Sequence, residues 1–343
     1  MEARLDWIDY AKGIGIILVV YGHVLRGIYN AEMHLSEVFY NVSDSLVYGF
    51  HMPLFFFLSG FFFTKCLNKR GTTSFLADKA KALLYPYIVW MLFQSGMELV
   101  LSNYTNNHLT MTEVFSMLYA PRAQFWFLHT LFLMYLGTTA IFLASGKLGT
   151  IFSLILSAFL LFFPQAIGIA LLGPFATNYV FFVLGVICFK LGLERWQLPS
   201  TPVAMLSTGA AFAALGILTV SGNLMAPAIN QLLLAISGIV FVLTIAAGMS
   251  KSHKLKILKT IGQKTMPIYL AHIIAGSGVR IMLDRLFHFH NVFAHVVVGT
   301  LAGIVLPLLV YRIAKRNGLL FMFEFPGRSR GVRVGEAGLQ LSS

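Results

Sequence analysis

Apolar runs of about 20 residues, each long enough to cross a bilayer, recur along the whole chain between short polar or basic connections. The pattern predicts ten membrane-spanning helices, near residues 11–29, 45–64, 82–101, 125–144, 149–164, 168–190, 202–220, 229–248, 266–284 and 292–313. The fifth is short, the sixth is interrupted by Gly173-Pro174, and the ninth carries His272 and Arg280. No stretch is polar enough to form a separate soluble domain. The expected architecture is all-α and polytopic: one transmembrane domain over residues 1–325, then a tail over 326–343. That tail is rich in Gly, Ser and Arg and is expected to be disordered.

Composition supports this pattern. The 343 residues are 57% hydrophobic and only 11% charged, with mean hydropathy +0.78; soluble domains carry roughly a quarter charged residues. The net charge of +12 resides in short loops between apolar runs, which argues against nucleic-acid binding. Lys65, Lys69, Arg70, Lys79 and Lys81 fall on one side, with Lys147, Arg195, Lys251, Lys254, Lys256, Lys259 and Lys264. The tail adds Lys315, Arg316, Arg328, Arg330 and Arg333. The opposite loops offer little beyond Arg26, Arg122 and Arg285. By the positive-inside rule both termini are expected in the cytoplasm, in keeping with an even number of spans. Cys66 and Cys188 form neither a disulfide framework nor a metal spacing. The mixed-charge start of the chain does not read as a signal peptide, so the first span is expected to be retained.

The candidate chemistry begins in that first span, Asp9-Tyr-Ala-Lys12 through to His23. Lys12 and His23 stand about three turns, roughly 16 Å, apart on one helical stripe. Ionisable groups on a spanning helix are costly and point to function, although a lone lysine can also snorkel to lipid phosphates. A neutral imidazole suits general-base work. The second span brings Phe50-His51-Met-Pro53, which places His51 at a depth comparable to His23. Lys79 and Lys81 precede the third span and form a basic pair able to meet phosphates. Trp126 reads as an interfacial aromatic and His129 as a residue of an outer pocket. Tyr29, Asn30, Tyr40, Asn41, Tyr104, Asn106, Asn107 and His108 lie in the longest outer segments, where such side chains suit sugar hydroxyls. Outside Asp9, Glu98 and Asp284, no carboxylate is expected within the membrane. The titratable set is therefore histidine plus cations, which favours hydroxyl activation over ion coupling.

These motifs together resemble the acyltransferase-3 family of integral membrane proteins, and most of all its fucose 4-O-acetylase-like branch. The resemblance rests on Asp9-Tyr-Ala-Lys12 with His23, on Phe50 to Gly60, and on Leu84-Tyr-Pro-Tyr87. It continues through Phe125-Trp-Phe-Leu128, Phe181-Phe-Val-Leu-Gly185 and Ile268-Tyr-Leu-Ala-His272, in order over roughly residues 4 to 315. It implies ten spans and transfer of an acyl group, commonly acetyl, from a cytoplasmic donor to a hydroxyl acceptor. Lys12 and His23 carry over as functional residues. Two features depart from the family: lysine stands where arginine is common at position 12, and Lys79-Ala-Lys81 replaces a two-arginine motif. Lysine lacks the fork that binds phosphate bidentately.

The expected protein is a bacterial inner-membrane O-acyltransferase using acetyl-CoA, with no metal. Its partners would be acyl-CoA, membrane lipids and a glycan or lipid-linked sugar acceptor. Lys12, Lys79 and Lys81 would hold donor phosphates, His23 would act as base, and His51 would orient it or stabilise the oxyanion. The alternatives are a transporter or flippase of a glycan or lipid-linked sugar, which the absence of a repeat between the two halves disfavours, and a non-catalytic membrane scaffold.

Overall fold

The computed structural model describes residues 5–100, 111–117, 120–168, 172–193, 198–222, 227–252 and 255–327. The tail beyond 327 and outer-segment residues Tyr104, Asn106, Asn107 and His108 lie outside them, as do Arg195, Lys254, Arg328, Arg330 and Arg333. The helices are α1 (Asp6–Asn30), α2 (Glu37–Phe61), α3 (Phe63–Arg70), α4 (Thr72–Val100), α5 (Met111–Ser116), α6 (Trp126–Ser145) and α7 (Gly149–Phe162). They continue as α8 (Gly173–Lys190), α9 (Pro202–Val220), α10 (Pro227–Ser252), α11 (Lys256–Gln263), α12 (Thr265–Ile281) and α13 (Val292–Arg316). No strand occurs among the described residues.

Each of the ten apolar runs corresponds to a helix. Eight helical stretches among the described residues are long and apolar enough to cross a membrane, and the protein is an all-α, multi-pass membrane protein. One stretch, Ala123–Phe162, holds both α6 and α7. Gly146, at φ 54°, breaks the rod between them, and Gly149 returns close to Phe142. The α4 helix falls outside the eight because Tyr85, Pro86, Gln94, Ser95 and Glu98 dilute its apolar portion.

Some boundaries differ from the sequence reading. Helix α8 begins at Gly173 instead of residue 168, with Pro174 in its first turn, where a missing N–H costs no helical bond. Helix α4 starts ten residues before its apolar run, so Lys79 and Lys81 are helical instead of lying in a loop. Lys65, Lys69 and Arg70 likewise form part of α3. Helix α2 starts at Glu37, which brings Asp44 inside a membrane helix, against the expectation that no further carboxylate would be embedded.

The chain divides into two compact units, one of Met1–Phe55 with Gly192–Leu309 and one of Phe56–Leu191 with the segment from Val310 onward. In the first, α2 runs antiparallel to α1: Gly15 meets Leu54 and Phe55, and Gly22 meets Val47 and Tyr48. Helix α12 runs parallel to α1, since Gly262 just before it touches Asp9 and Gly276 within it touches Val24. Helix α13 runs back along α1, with Gly299 at Val24 and Gly303 at Val20. Glycine recurs at these crossings because close helix approach in a membrane rests on small residues. Only 6% of the apolar stretch of α9 is buried; it packs on α10 and leaves Val203, Leu206 and Ile217 exposed to face lipid.

The second unit is built on α4, α6, α7 and α8 around Phe63, Phe75, Tyr135 and Phe182. The segment after α13 docks on α4: Trp90 Nε1 donates to Met322 O at 2.7 Å and Tyr85 Oη to Phe321 O at 2.8 Å. Gly60 and Gly185 face each other's helices at backbone distance. A Cβ on Gly185 would lie 2.1 Å from Phe57 O, and one on Gly60 2.0 Å from Phe182 O. Gly185→Leu is therefore expected to destabilise the protein by at least about 3 kcal/mol, read as a lower unfolding midpoint in detergent.

Candidate active site

A cluster of histidines lies inside the first unit, built from α1, α2 and α12. His23, eleven residues beyond Lys12 on the unbroken helix α1, is partly accessible. Its nearest aromatic neighbour is His272 of α12, with ring centres 5.0 Å apart at an interplanar angle of 59°. Tyr48 of α2 stands edge-on at 6.0 Å from His23 and also at 4.6 Å from His51. His51 and His272 are both 1% exposed, so of the three histidines only His23 keeps some exposed surface.

The tautomers of the two buried rings follow from their bonds. His51 Nδ1 lies 2.5 Å from Val47 O. His272 Nδ1 lies 2.7 Å from Tyr269 O and 3.2 Å from Ile268 O. A carbonyl oxygen only accepts, so Nδ1 carries the hydrogen in both rings. His272 Nε2 thus keeps its lone pair, and it is buried without a hydrogen-bond partner.

One turn along α1 from His23, Arg26 donates to both carboxylate oxygens of Asp44, from Nε at 2.6 Å and from Nη2 at 2.8 Å. Its guanidinium lies 3.2 Å from the centre of the Tyr48 ring. This fork-to-fork pair explains how Asp44 sits in a membrane helix: its charge is matched within hydrogen-bond distance. Asp44, Tyr48 and His51 form one stripe on α2, at spacings of four and three, facing the His23–Arg26 stripe of α1. That spacing in the sequence is the signal that could have revealed Tyr48 and Asp44 as part of the site. Beyond it, Tyr29 and Tyr40 stack face to face at 3.7 Å.

At the other end of α1, Asp9 and Lys12 are 4% and 6% exposed. Lys12 is thus enclosed by protein and does not snorkel to lipid. The short helix α11 closes over this end: Gln263 Nε2 donates to Asp9 Oδ2 at 3.1 Å, and Lys259 pairs with Asp6 at 2.6 Å. The other candidate cations belong to the second unit. Lys79 is buried with its ammonium 4.1 Å from the Tyr135 ring centre. Lys81, two residues on and hence on the opposite face of α4, is exposed beside Phe325 at 5.3 Å. His129 also lies in the second unit, 6.5 Å from the Tyr87 ring. His23, His51 and His272 are thus brought into one cluster, while Lys79 and Lys81 point apart.

Fold and site define a polytopic helical membrane protein with a histidine centre among its helices, one imidazole of which is accessible. The chain belongs to the acyltransferase-3 family, whose acyltransferase domain matches residues 5–312. It is 33% identical over 82 residues to the nodulation protein NolL of Mesorhizobium japonicum, a match covering 24% of this chain and 21% of the relative. It is also 35% identical over 85 residues to the nodulation protein NolL of Sinorhizobium fredii, covering 24% of this chain and 22% of the relative. The matched part thus spans about a fifth of the length of these curated relatives. No solved structure matches the chain.

Proposed function

We propose that the protein moves an acetyl group from cytoplasmic acetyl-CoA to a hydroxyl of a surface or exported glycan, in the bacterial inner membrane with both termini cytoplasmic. The observation that carries this reading is the accessible His23 ring beside two buried histidines. His23 takes the proton from the acceptor hydroxyl as its oxygen attacks the thioester carbonyl. The tetrahedral intermediate collapses with cleavage of the C–S bond, and the departing thiolate receives the proton from His23. The ester oxygen is then that of the acceptor, and free CoA leaves.

His51, reached from His23 through the shared neighbour Tyr48, supports the cluster and the polarity around the developing oxyanion. Lys12 holds donor phosphates at the cytoplasmic end of α1, where its burial strengthens a charge-assisted bond. In the second unit the exposed Lys81 is the better placed of its pair to meet an anion, while Lys79 is held against Tyr135. The stacked Tyr29 and Tyr40, with Asn30 and Asn41 next to them in the chain, offer the aromatic faces and amides that suit a sugar.

The test is donor dependence in purified protein. Lys12→Met is expected to raise the KM for acetyl-CoA about ten- to hundredfold, with a smaller change in kcat. Lys12→Arg is expected to retain most of the affinity. An unchanged KM in Lys12→Met would remove Lys12 from donor binding, and failure of any acyl-CoA to react would overturn the donor assignment.

A further inference from the structure

We propose that His272 is a positioning residue for His23: its Nε2 lone pair, unpaired in this structure, accepts the N–H of one His23 ring nitrogen when that ring turns toward it, which leaves the other nitrogen free to face the acceptor hydroxyl. The proposal rests on the reading of His23 as the base and assigns what fixes that base. Three observations carry it. The Nδ1–H of His272 is already committed to Tyr269 O at 2.7 Å, so Nε2 is the acceptor end of the ring. That atom is buried without a partner, on a residue that is 1% exposed. A buried acceptor left unpaired costs on the order of 1–3 kcal/mol, so its retention here calls for a donor. His23 is the adjacent ring, with centres 5.0 Å apart. Two imidazoles that share one N–H···N bond of about 3 Å have their centres about 5 Å apart, so the bond needs the His23 ring to turn and not the helices to move.

The groups around this pair narrow the choice. Tyr48 meets His23 edge-on from α2, but its ring also carries Arg26, whose guanidinium is committed to Asp44. His51 meets Tyr48 edge-on at 4.6 Å, with its own Nδ1–H tied to Val47 O. Among the described residues no carboxylate lies in contact with the His23 ring, so the orienting role that a carboxylate plays for a catalytic histidine in other acyl-transfer enzymes falls to the neutral acceptor of His272. Helix α12 is suited to that role, because the carbonyls of its own previous turn lock the His272 ring.

The test uses full-length protein in lipid nanodiscs, acetyl-CoA as the donor probe and histidine labelled with nitrogen-15. His272→Leu and His272→Met remove the acceptor. Each is expected to lower kcat for acetyl-CoA turnover at least tenfold with KM unchanged, and to change the His23 nitrogen signals from a single neutral tautomer to a mixture. His272→Gln, which can present its carbonyl oxygen where Nε2 stood, is expected to recover activity to within about threefold of the parent and to restore the single tautomer. The proposal is overturned if an apolar variant with the parent's melting temperature keeps both kcat and the His23 tautomer, or if a folded His272→Gln behaves like His272→Leu. Should the tautomer shift while the parent itself does not turn over acetyl-CoA, His272 still positions His23 and the donor assignment is what fails.

Discussion

His23→Ala is expected to lower acyl transfer by at least about a hundredfold, the lower range for loss of a general base, while the protein still inserts and folds. The expectation follows from where the ring sits. His23 is partly accessible, and its ring contacts among the described residues are with Tyr48 and His272, so its removal is expected to disturb the core less than removal of a fully buried ring. His51 and His272 are 1% exposed, and truncating either leaves a cavity and the loss of a bond to a backbone carbonyl. Folding should thus be sensitive to those two and indifferent to His23. Activity measured alongside the melting temperature of each purified variant checks the contrast; a His23→Ala protein that melts early would show the ring to be part of the core.

The second large effect concerns the closure of α11 over the start of α1. Gly262→Ala is expected to destabilise the protein by about 3 kcal/mol or more and to depress activity together with stability. A Cβ at Gly262 would stand 1.7 Å from Asp9 O, 2.7 Å from Asp9 C and 2.8 Å from Gly13 N. All three are backbone atoms of a buried helix, so no side chain can swing aside and α11 must lift away. That movement would also disturb the Gln263–Asp9 bond one turn from Lys12. Gly278 is the control: nothing lies within 4 Å of its Cβ position. Gly278→Ala is expected to be neutral or to stabilise α12 by up to about 1 kcal/mol through helix propensity. Unfolding midpoints of the two variants in the same detergent check the pair, and equal midpoints would show that α11 does not pack as described.

Hydropathy made the helices legible because a run of about 20 apolar residues has few other solutions in a bilayer. It also placed Lys12 and His23 on one helix, since α1 is unbroken from Asp6 to Asn30. Boundaries failed where charge is neutralised locally. The apolar run from residue 45 leaves Asp44 just outside the second span, yet Asp44 lies within α2 and Arg26 matches it oxygen for oxygen. Lys79 and Lys81 looked like one basic cluster because they are close in sequence, but a helical step of two residues turns them to opposite faces. The neighbour of His23 was the least legible feature. Depth and the neighbouring Pro53 single out His51, whereas His272, about 250 positions away, is the ring that lies beside His23. Periodicity along one helix says which face is polar and leaves open which distant helix meets it. The run Ile268-Tyr-Leu-Ala-His272 carries a histidine amid apolar residues and is one of the motifs of the family resemblance, but neither sign says which ring it meets.

On the proposed function, His23 drives transfer of an acetyl group to an exported glycan. The most direct test is mass spectrometry of surface glycans from cells carrying the parent gene, no gene, or the His23→Ala gene at equal membrane levels. One acetyl mass per modified sugar is expected with the parent and in neither other case. Glycans of identical mass in all three would contradict it.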